Sequence, residues 1–194
     1  MNQSKNRKTV LTICMVAMMA ALVAVGSNIP NIQIPSPLGN NRFHLGNVMC
    51  ALSGLLLGPW WGGLASGLGS AIYDLLMDPT RFADTPITFI TKGLYGVVAG
   101  AVFFKVFKGE SSYLAELTAS AAAAATYIVV YLGKSFFYNG LLLQGLSADA
   151  AWLAVLGRAP SSLFNGIVAV IFAPILGLAL HRALKAAHLE IKLA

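Results

Sequence analysis

Charge is scarce in this chain. Lys and Arg number 13 and Asp and Glu 7 in 194 residues, so charged side chains make up 10%, against about 25% in soluble domains. That scarcity excludes a disordered chain, a nucleic-acid binder and an ordinary soluble enzyme. Cysteine is nearly absent. Cys14 and Cys50 both lie in apolar runs, which excludes a disulfide framework and reads as buried free thiols. Catalytic signatures are missing as well: no G-x-x-x-x-G-K-[ST], H-E-x-x-H, C-x-x-C or G-x-S-x-G occurs. His44 stands alone, and His181 and His188 lie in a basic C-terminal tail. These absences leave no catalytic set, no metal site and no cofactor motif. The chain cannot hydrolyse ATP by a phosphate-loop mechanism, so any energised step must come from a partner.

What is abundant is apolar. The apolar set makes up 57% of the chain and the mean hydropathy is +0.74. A membrane-spanning helix needs about 20 residues. Six would use most of the chain and leave tails and loops, but no soluble domain. The expectation is therefore one all-α membrane domain over 1–194, with six transmembrane helices at about 9–26, 44–58, 59–77, 87–107, 113–143 and 161–184. The first run has the basic start and small-residue end of a signal peptide. It is long enough to span, and the chain stays membrane-like after it, so it reads as a retained helix. Asn28 to Phe43 reads as a loop, because its prolines, glycine and asparagines stop a helix. DPTRFADTP (78–86) reads as a polar turn, and Gln144–Gly157 as a loop with an apolar stripe. Basic residues set the orientation. Lys5, Arg7, Lys8, Lys105, Lys108, Arg182, Lys185 and Lys192 fall on one side, and Arg42, Arg81 and Arg158 on the other. This bias puts both termini in the cytoplasm and the three loops outside.

Three features can carry function. Ala17, Ala20, Ala21 and Ala24 share one face of the first helix. A small-residue face lets helix backbones approach closely in lipid, so it suits either docking of another membrane subunit or packing within the chain. Lys92, Lys134 and Asp74 lie inside apolar runs. Intramembrane charges line cavities or pair with each other, so they suit either a polar substrate pocket or a structural ion pair. Asn47, Thr88, Tyr95, Tyr131, Tyr138 and Asn165, among others, add the polar and aromatic groups that a small-molecule site requires.

HLGNVMCALSGLLLGPWWGGLASGLGSAIYDLL (44–76), followed by TPITFITKGLYGVVAG (85–100), resembles the substrate-binding S components of energy-coupling-factor (ECF) vitamin transporters. The resemblance rests on H-L-G-[ND], G-L-G-S-A-x-x-D-L and P-x-T-F-x-x-K-G-L taken together, and extends to the alanine-rich first helix. It implies a bundle of six helices in the bacterial plasma membrane that captures a B-type vitamin from outside. It also implies docking on a membrane coupling subunit served by two cytoplasmic ATPases. The family's A-x-x-x-A docking motif maps onto Ala17 and Ala21, or onto Ala20 and Ala24. The family's pocket elements contain Lys92, Tyr95, Lys134, Tyr138 and Asn165, and Asn47 and Arg42 join them from the outer side. The wording H-L-G-N and T-P-I-T-F looks most like branches assigned pantothenate, with cobalamin or another B vitamin as alternatives. The excess of Lys92, Lys134, Arg42 and Arg158 over Asp74 leans toward an anionic ligand, an excess that Asp78, Asp84 and Asp149 can offset. Two rival classes remain: a self-sufficient channel or secondary transporter, and a small intramembrane lipid enzyme using Asp74 or His44.

Overall fold

A computed structural model of the chain describes residues 2–34 and 41–187. Helix α1 covers Asn2–Asn28, starting earlier than the expected residue 9. The polar tail holds no glycine or proline, so the helix runs back through it. It stops at Asn28 because Pro30 disfavours helical backbone in the residue before it. Val16, Met19, Ala20, Val23 and Ala24 are buried at the i, i+3, i+4, i+7 and i+8 spacing of one helical face.

The expected loop after α1 contains a two-stranded antiparallel ribbon, which amends the all-α expectation. Strand β1 (Ile32–Ile34) pairs with β2 (Asn41–Phe43), with Gln33 opposite Arg42. Prolines at 30 and 35 exclude a helix here, and the alternating isoleucines suit an extended strand. The tip, residues 35–40, and the tail residues His188 and Lys192 lie outside the described residues.

Helix α2 covers Gly46–Ile72, but Gly58 has φ 81° and ψ −179°, a conformation open essentially only to glycine. Pro59 follows and cannot donate the next helical hydrogen bond. The chain folds back there. Ser53 Oγ meets Ser66 Oγ at 2.6 Å and donates to the Gly62 carbonyl at 3.1 Å. The arms 46–57 and 59–72 therefore pack side by side. A π-helical turn, Tyr73–Met77, and a 3-10 segment, Pro79–Asp84, lead on to α3 (Thr85–Ala101). A second π turn, Val102–Val106, ends that arm. Helix α4 (Tyr113–Lys134) is capped by the Ser112 side chain and continues as π helix through Ser135–Leu143. Helix α5 runs over Ala148–Ala186, capped by Ser147. The expected loop at 144–157 is thus helical from Ala148 onward and continuous with the last apolar run. Pro160 and Pro174 lie inside it, where each removes one backbone bond but leaves the backbone helical.

Among the described residues, five stretches are long and apolar enough to cross a membrane: Lys8–Asn28, Gly46–Met77, Pro79–Val106, Tyr113–Leu143 and Ala148–Ala186. Small residues let them pack closely. A methyl at Gly96 would sit 2.6 Å from the Gly62 carbonyl oxygen, so α3 lies directly on the second arm of α2. The core of Tyr95, Ala99, Ala123, Tyr127, Ala169 and Ala173 joins α3, α4 and α5. Large apolar side chains such as Ile90, Val129, Leu163 and Ile175 point outward, as a lipid-facing surface requires.

Candidate functional site

One end of the bundle encloses a cavity of about 730 Å³. Its walls come from the end of α1 (Ser27), the ribbon (Arg42), α2 (Asn47, Ser70), the turn between α2 and α3, and helices α3 to α5. Phe103, Glu116 and His181 meet at the opposite end of the bundle. There His181 Nδ1 lies 3.0 Å from Glu116 and its ring stacks on Phe103. The first turns of α1 and the last turns of α5 share that opposite end with Lys105 and Lys108.

Charge dominates the lining. Arg42, Arg81, Lys92, Lys134 and Arg158 face Asp74, Asp78 and Asp84. Arg42 pairs with Asp78 at 3.1 Å and also bonds the Tyr73 hydroxyl. Arg81 reaches Asp74 at 3.6 Å and Asp84 at 3.9 Å, while Lys134 reaches Asp84 at 3.4 Å. The turn Pro79–Asp84 is thereby tied to the ribbon and to α4. Asn139 Nδ2 to Asp84 and the Tyr138 hydroxyl to the Ala83 carbonyl, both at 2.7 Å, add to that strap. Among the described residues, Lys92 and Arg158 have no carboxylate within ion-pair distance. Lys92 is buried, donates to Asn47 Oδ1 and sits 4.3 Å over the Tyr127 ring. Arg158 donates to Ser135 Oγ at 2.5 Å. Burial first, and then the positive charges of Lys92, Arg42 and Arg81, hold the His44 imidazole well below its ordinary pKa. The neutral ring accepts the Gly46 backbone N–H at Nδ1, 3.0 Å away.

Of the residues expected at the site, Lys92, Lys134, Asn165, Asn47 and Arg42 all line this cavity. The two asparagines are bonded within its wall. Asn165 accepts from the His44 backbone N–H and donates to the Arg42 carbonyl, which seats the ribbon on α5. Asn47 is taken up by Lys92. Tyr95 and Tyr138 are not in the lining. Tyr95 is fully buried beneath Tyr127, with ring centroids 5.3 Å apart. Tyr138 faces the outer rim beside Phe137, Leu141 and Leu142. Sequence reasoning missed Arg81, Tyr127, Ser70 and Thr80 as lining residues. Arg81 lay within a stretch read only as a polar turn, and Tyr127 is four residues from the expected Tyr131, on the same helical face. The alanine stripe divides: Ala20 and Ala24 are buried inside the bundle, and Ala17 and Ala21 are exposed.

Among the described residues no cluster of three His, Cys, Asp or Glu side chains could hold a metal. The cavity is a polar, charge-lined chamber at one end of an apolar bundle, a lining that suits a water-soluble molecule.

A family model described as "ECF-type riboflavin transporter, S component" matches residues 7–182. A protein of Pyrococcus woesei named "Uncharacterized protein in gap 3'region" is 28% identical over 109 residues, covering 56% of this chain and 69% of that one. The fold is similar to that solved for the S component of a bacterial ECF transporter, with a TM-score of 0.64 and 19% identity over 94% of this chain and 99% of that one. It is also similar to the S component for biotin from an ECF-type ABC transporter, with a TM-score of 0.60 and 18% identity over 91% of this chain and 94% of that one.

Proposed function

We propose a cargo and an orientation for this chain on one premise: it belongs to the family of ECF-type transporter S components whose model it matches over residues 7–182. Proteins of this family are transporter subunits and not enzymes. The cargo in our reading is a carboxylate-bearing B-type vitamin, pantothenate first among them, bound from the extracellular side. The observation that carries this reading is the cation excess of the cavity, where Lys92 and Arg158 remain after every lining carboxylate has found a basic partner. Cations in a cavity without counter-ions favour an anionic ligand. The volume, about 730 Å³, lies within the range of about 300–1,000 Å³ typical of small-molecule sites. It suits a small vitamin better than a corrinoid.

The two arms of Gly46–Met77 each count as a crossing in this reading, giving six. The end that carries Lys105, Lys108, Arg182 and Lys185 faces the cytoplasm of a bacterial plasma membrane, so the cavity opens outward. Ala17 and Ala21 remain free on the outer face of α1 for a membrane coupling subunit, itself served by two cytoplasmic ATPases. Loop closure by the ribbon and release on docking would then divide capture from transport.

A second reading, riboflavin, has its own support. The matched family carries that name, and Tyr127 and Tyr131 stack at 5.5 Å and 24° along one cavity wall, a surface that suits a flat ring. Calorimetric titration of the detergent-purified chain with pantothenate, biotin and riboflavin separates the two. Pantothenate is expected to bind tightly to the solitary protein. Binding of riboflavin without measurable affinity for either acid would favour the second reading. Vitamin uptake by vesicles containing this chain alone, or chemical turnover of the vitamin, would overturn both.

A further inference from the structure

The ion pairs of the cavity leave one carboxylate without a hydrogen bond. Asp74 is 1% exposed and lines the cavity. Neither of its oxygens has a hydrogen-bond partner. Arg81 Nε lies 3.6 Å from Oδ1, close enough to balance charge but too far to donate a good hydrogen bond. A carboxylate offers about four acceptor sites, and leaving them empty away from water is unfavourable. The neighbouring polar groups do not fill them. Tyr73 bonds Arg42, Lys92 bonds Asn47, and Asn139 bonds Asp84. Asp74 lies in the π turn Tyr73–Met77, a distortion of the kind found at functional sites. Across the fold, Ser162 on α5 is also buried in the lining with an unpartnered hydroxyl.

We propose that Asp74 reads hydrogen-bond donors on the ligand. Its two oxygens accept a pair of O–H or N–H groups from one edge of the ligand, while Lys92 and Arg158 face the ligand's acceptor or anionic end. The cargo is then a polar vitamin with neighbouring hydroxyl or amide donors, not a simple fatty or aromatic acid. This assignment rests on the reading of the cavity as a vitamin site and adds a selectivity residue to it. Pantothenate supplies such donors through its hydroxyls and amide, and riboflavin through its ribityl chain.

The test uses matched pairs: pantothenate against its ether with both hydroxyls methylated, and riboflavin against lumiflavin, which lacks the ribityl chain. Each is titrated calorimetrically into the full chain and into D74N. The wild type is expected to prefer the hydroxylated member by about 10- to 150-fold, the range for hydrogen bonds to a charged partner. D74N replaces one acceptor oxygen with a donor and is expected to lose most of that preference while still binding the parent vitamin. Equal affinity of the wild type for both members, or an undiminished preference in D74N, overturns the assignment and leaves the vitamin site standing. If neither parent vitamin binds the wild type, the vitamin-site reading fails and the assignment with it. D74E, which keeps the charge but displaces the acceptors by one methylene, serves if D74N does not fold. A reduced preference supports the assignment and an unchanged one refutes it.

Discussion

Lys92→Met removes the most buried of the cavity's unpaired cations and nearly preserves the side chain's volume. Two stabilising contacts disappear in the empty protein. Asn47 Oδ1, on a residue 1% exposed, loses its donor, at a cost of about 1–3 kcal/mol. The cation–π contact to Tyr127 at 4.3 Å contributes about 0.5–2 kcal/mol. Against these stands the desolvation of an ammonium with no described carboxylate within ion-pair distance, which is several kcal/mol even after relaxation. The opposing contributions nearly cancel or favour methionine, so the unfolding temperature in detergent is expected to hold or rise. The ligand meets a different balance. A bound carboxylate would lose a charge-assisted bond of about 1.5–3 kcal/mol, which weakens pantothenate binding by about 10- to 150-fold. Neutral riboflavin would lose far less. Calorimetric titration and a thermal melt on the same preparation read both quantities. A clear fall in melting temperature with unchanged pantothenate affinity would show that Lys92 is a structural cation, and the electrostatic case for an anionic cargo would fall.

Other consequences can be measured on the same protein. Gly58→Ala forces a side chain into φ 81°, ψ −179° and is expected to cost about 1–3 kcal/mol, read as a lowered melting temperature. An unaffected melt would mean that the hairpin between the α2 arms tolerates another backbone geometry. Ala17→Leu with Ala21→Leu is expected to spare folding and vitamin binding but abolish uptake in cells that supply the coupling module. Ala20→Leu with Ala24→Leu should disrupt the bundle itself, because both sites are only 4% exposed and overpacking costs about 1–3 kcal/mol per site; similar behaviour of the two pairs would contradict the division. The depressed His44 pKa fixes a pH dependence. Above about 6.5 the imidazole is neutral folded or unfolded and contributes no pH slope. Below it the unfolded chain takes up a proton that the folded site refuses, so stability falls by up to about 1.4 kcal/mol per pH unit. H44Q should flatten that slope between pH 6.5 and 5, and an unchanged slope would place its origin elsewhere.

Why some of this could be read from the residues and some could not follows from the range of each interaction. The break at Gly58–Pro59 is local: a glycine that can take φ 81° followed by a residue without an N–H marks the fold-back whatever surrounds it. Helix periodicity likewise marks the buried face of α1. It cannot choose between Ala17/Ala21 and Ala20/Ala24, because those pairs are separated only by which side meets the next helix, where Gly69 lies directly against the Ala20 carbonyl. Continuity of α5 through Gly157 and Pro160 escapes local rules for the same reason. Its N-terminal turns are held by packing against the π segment Ser135–Leu143, as in Phe136 on Trp152 at 5.0 Å, and that tertiary contact overrides the breakers.

The site depends on still longer reach. Lys134 finds Asp84, Arg42 finds Asp78 and Asn165 finds His44 only after distant elements converge. Composition can show an excess of positive charge, but it cannot show which cations are spent on carboxylates. That partition separates Arg42 and Lys134, whose charges strap the Pro79–Asp84 turn, from Lys92 and Arg158, whose charges remain for a ligand. It also separates Asp78 and Asp84, which accept bonds from the protein, from Asp74, which accepts none. Three aspartates within eleven residues thus differ: two close the wall, and one, buried in the lining, accepts no hydrogen bond. If neutralising Asp84 in D84N loosened the turn but left ligand affinity within about threefold, while D74N did the reverse, wall and reader would be distinct. A common effect of both would mean that the three carboxylates act as one electrostatic unit, as groups sharing a low-dielectric site can.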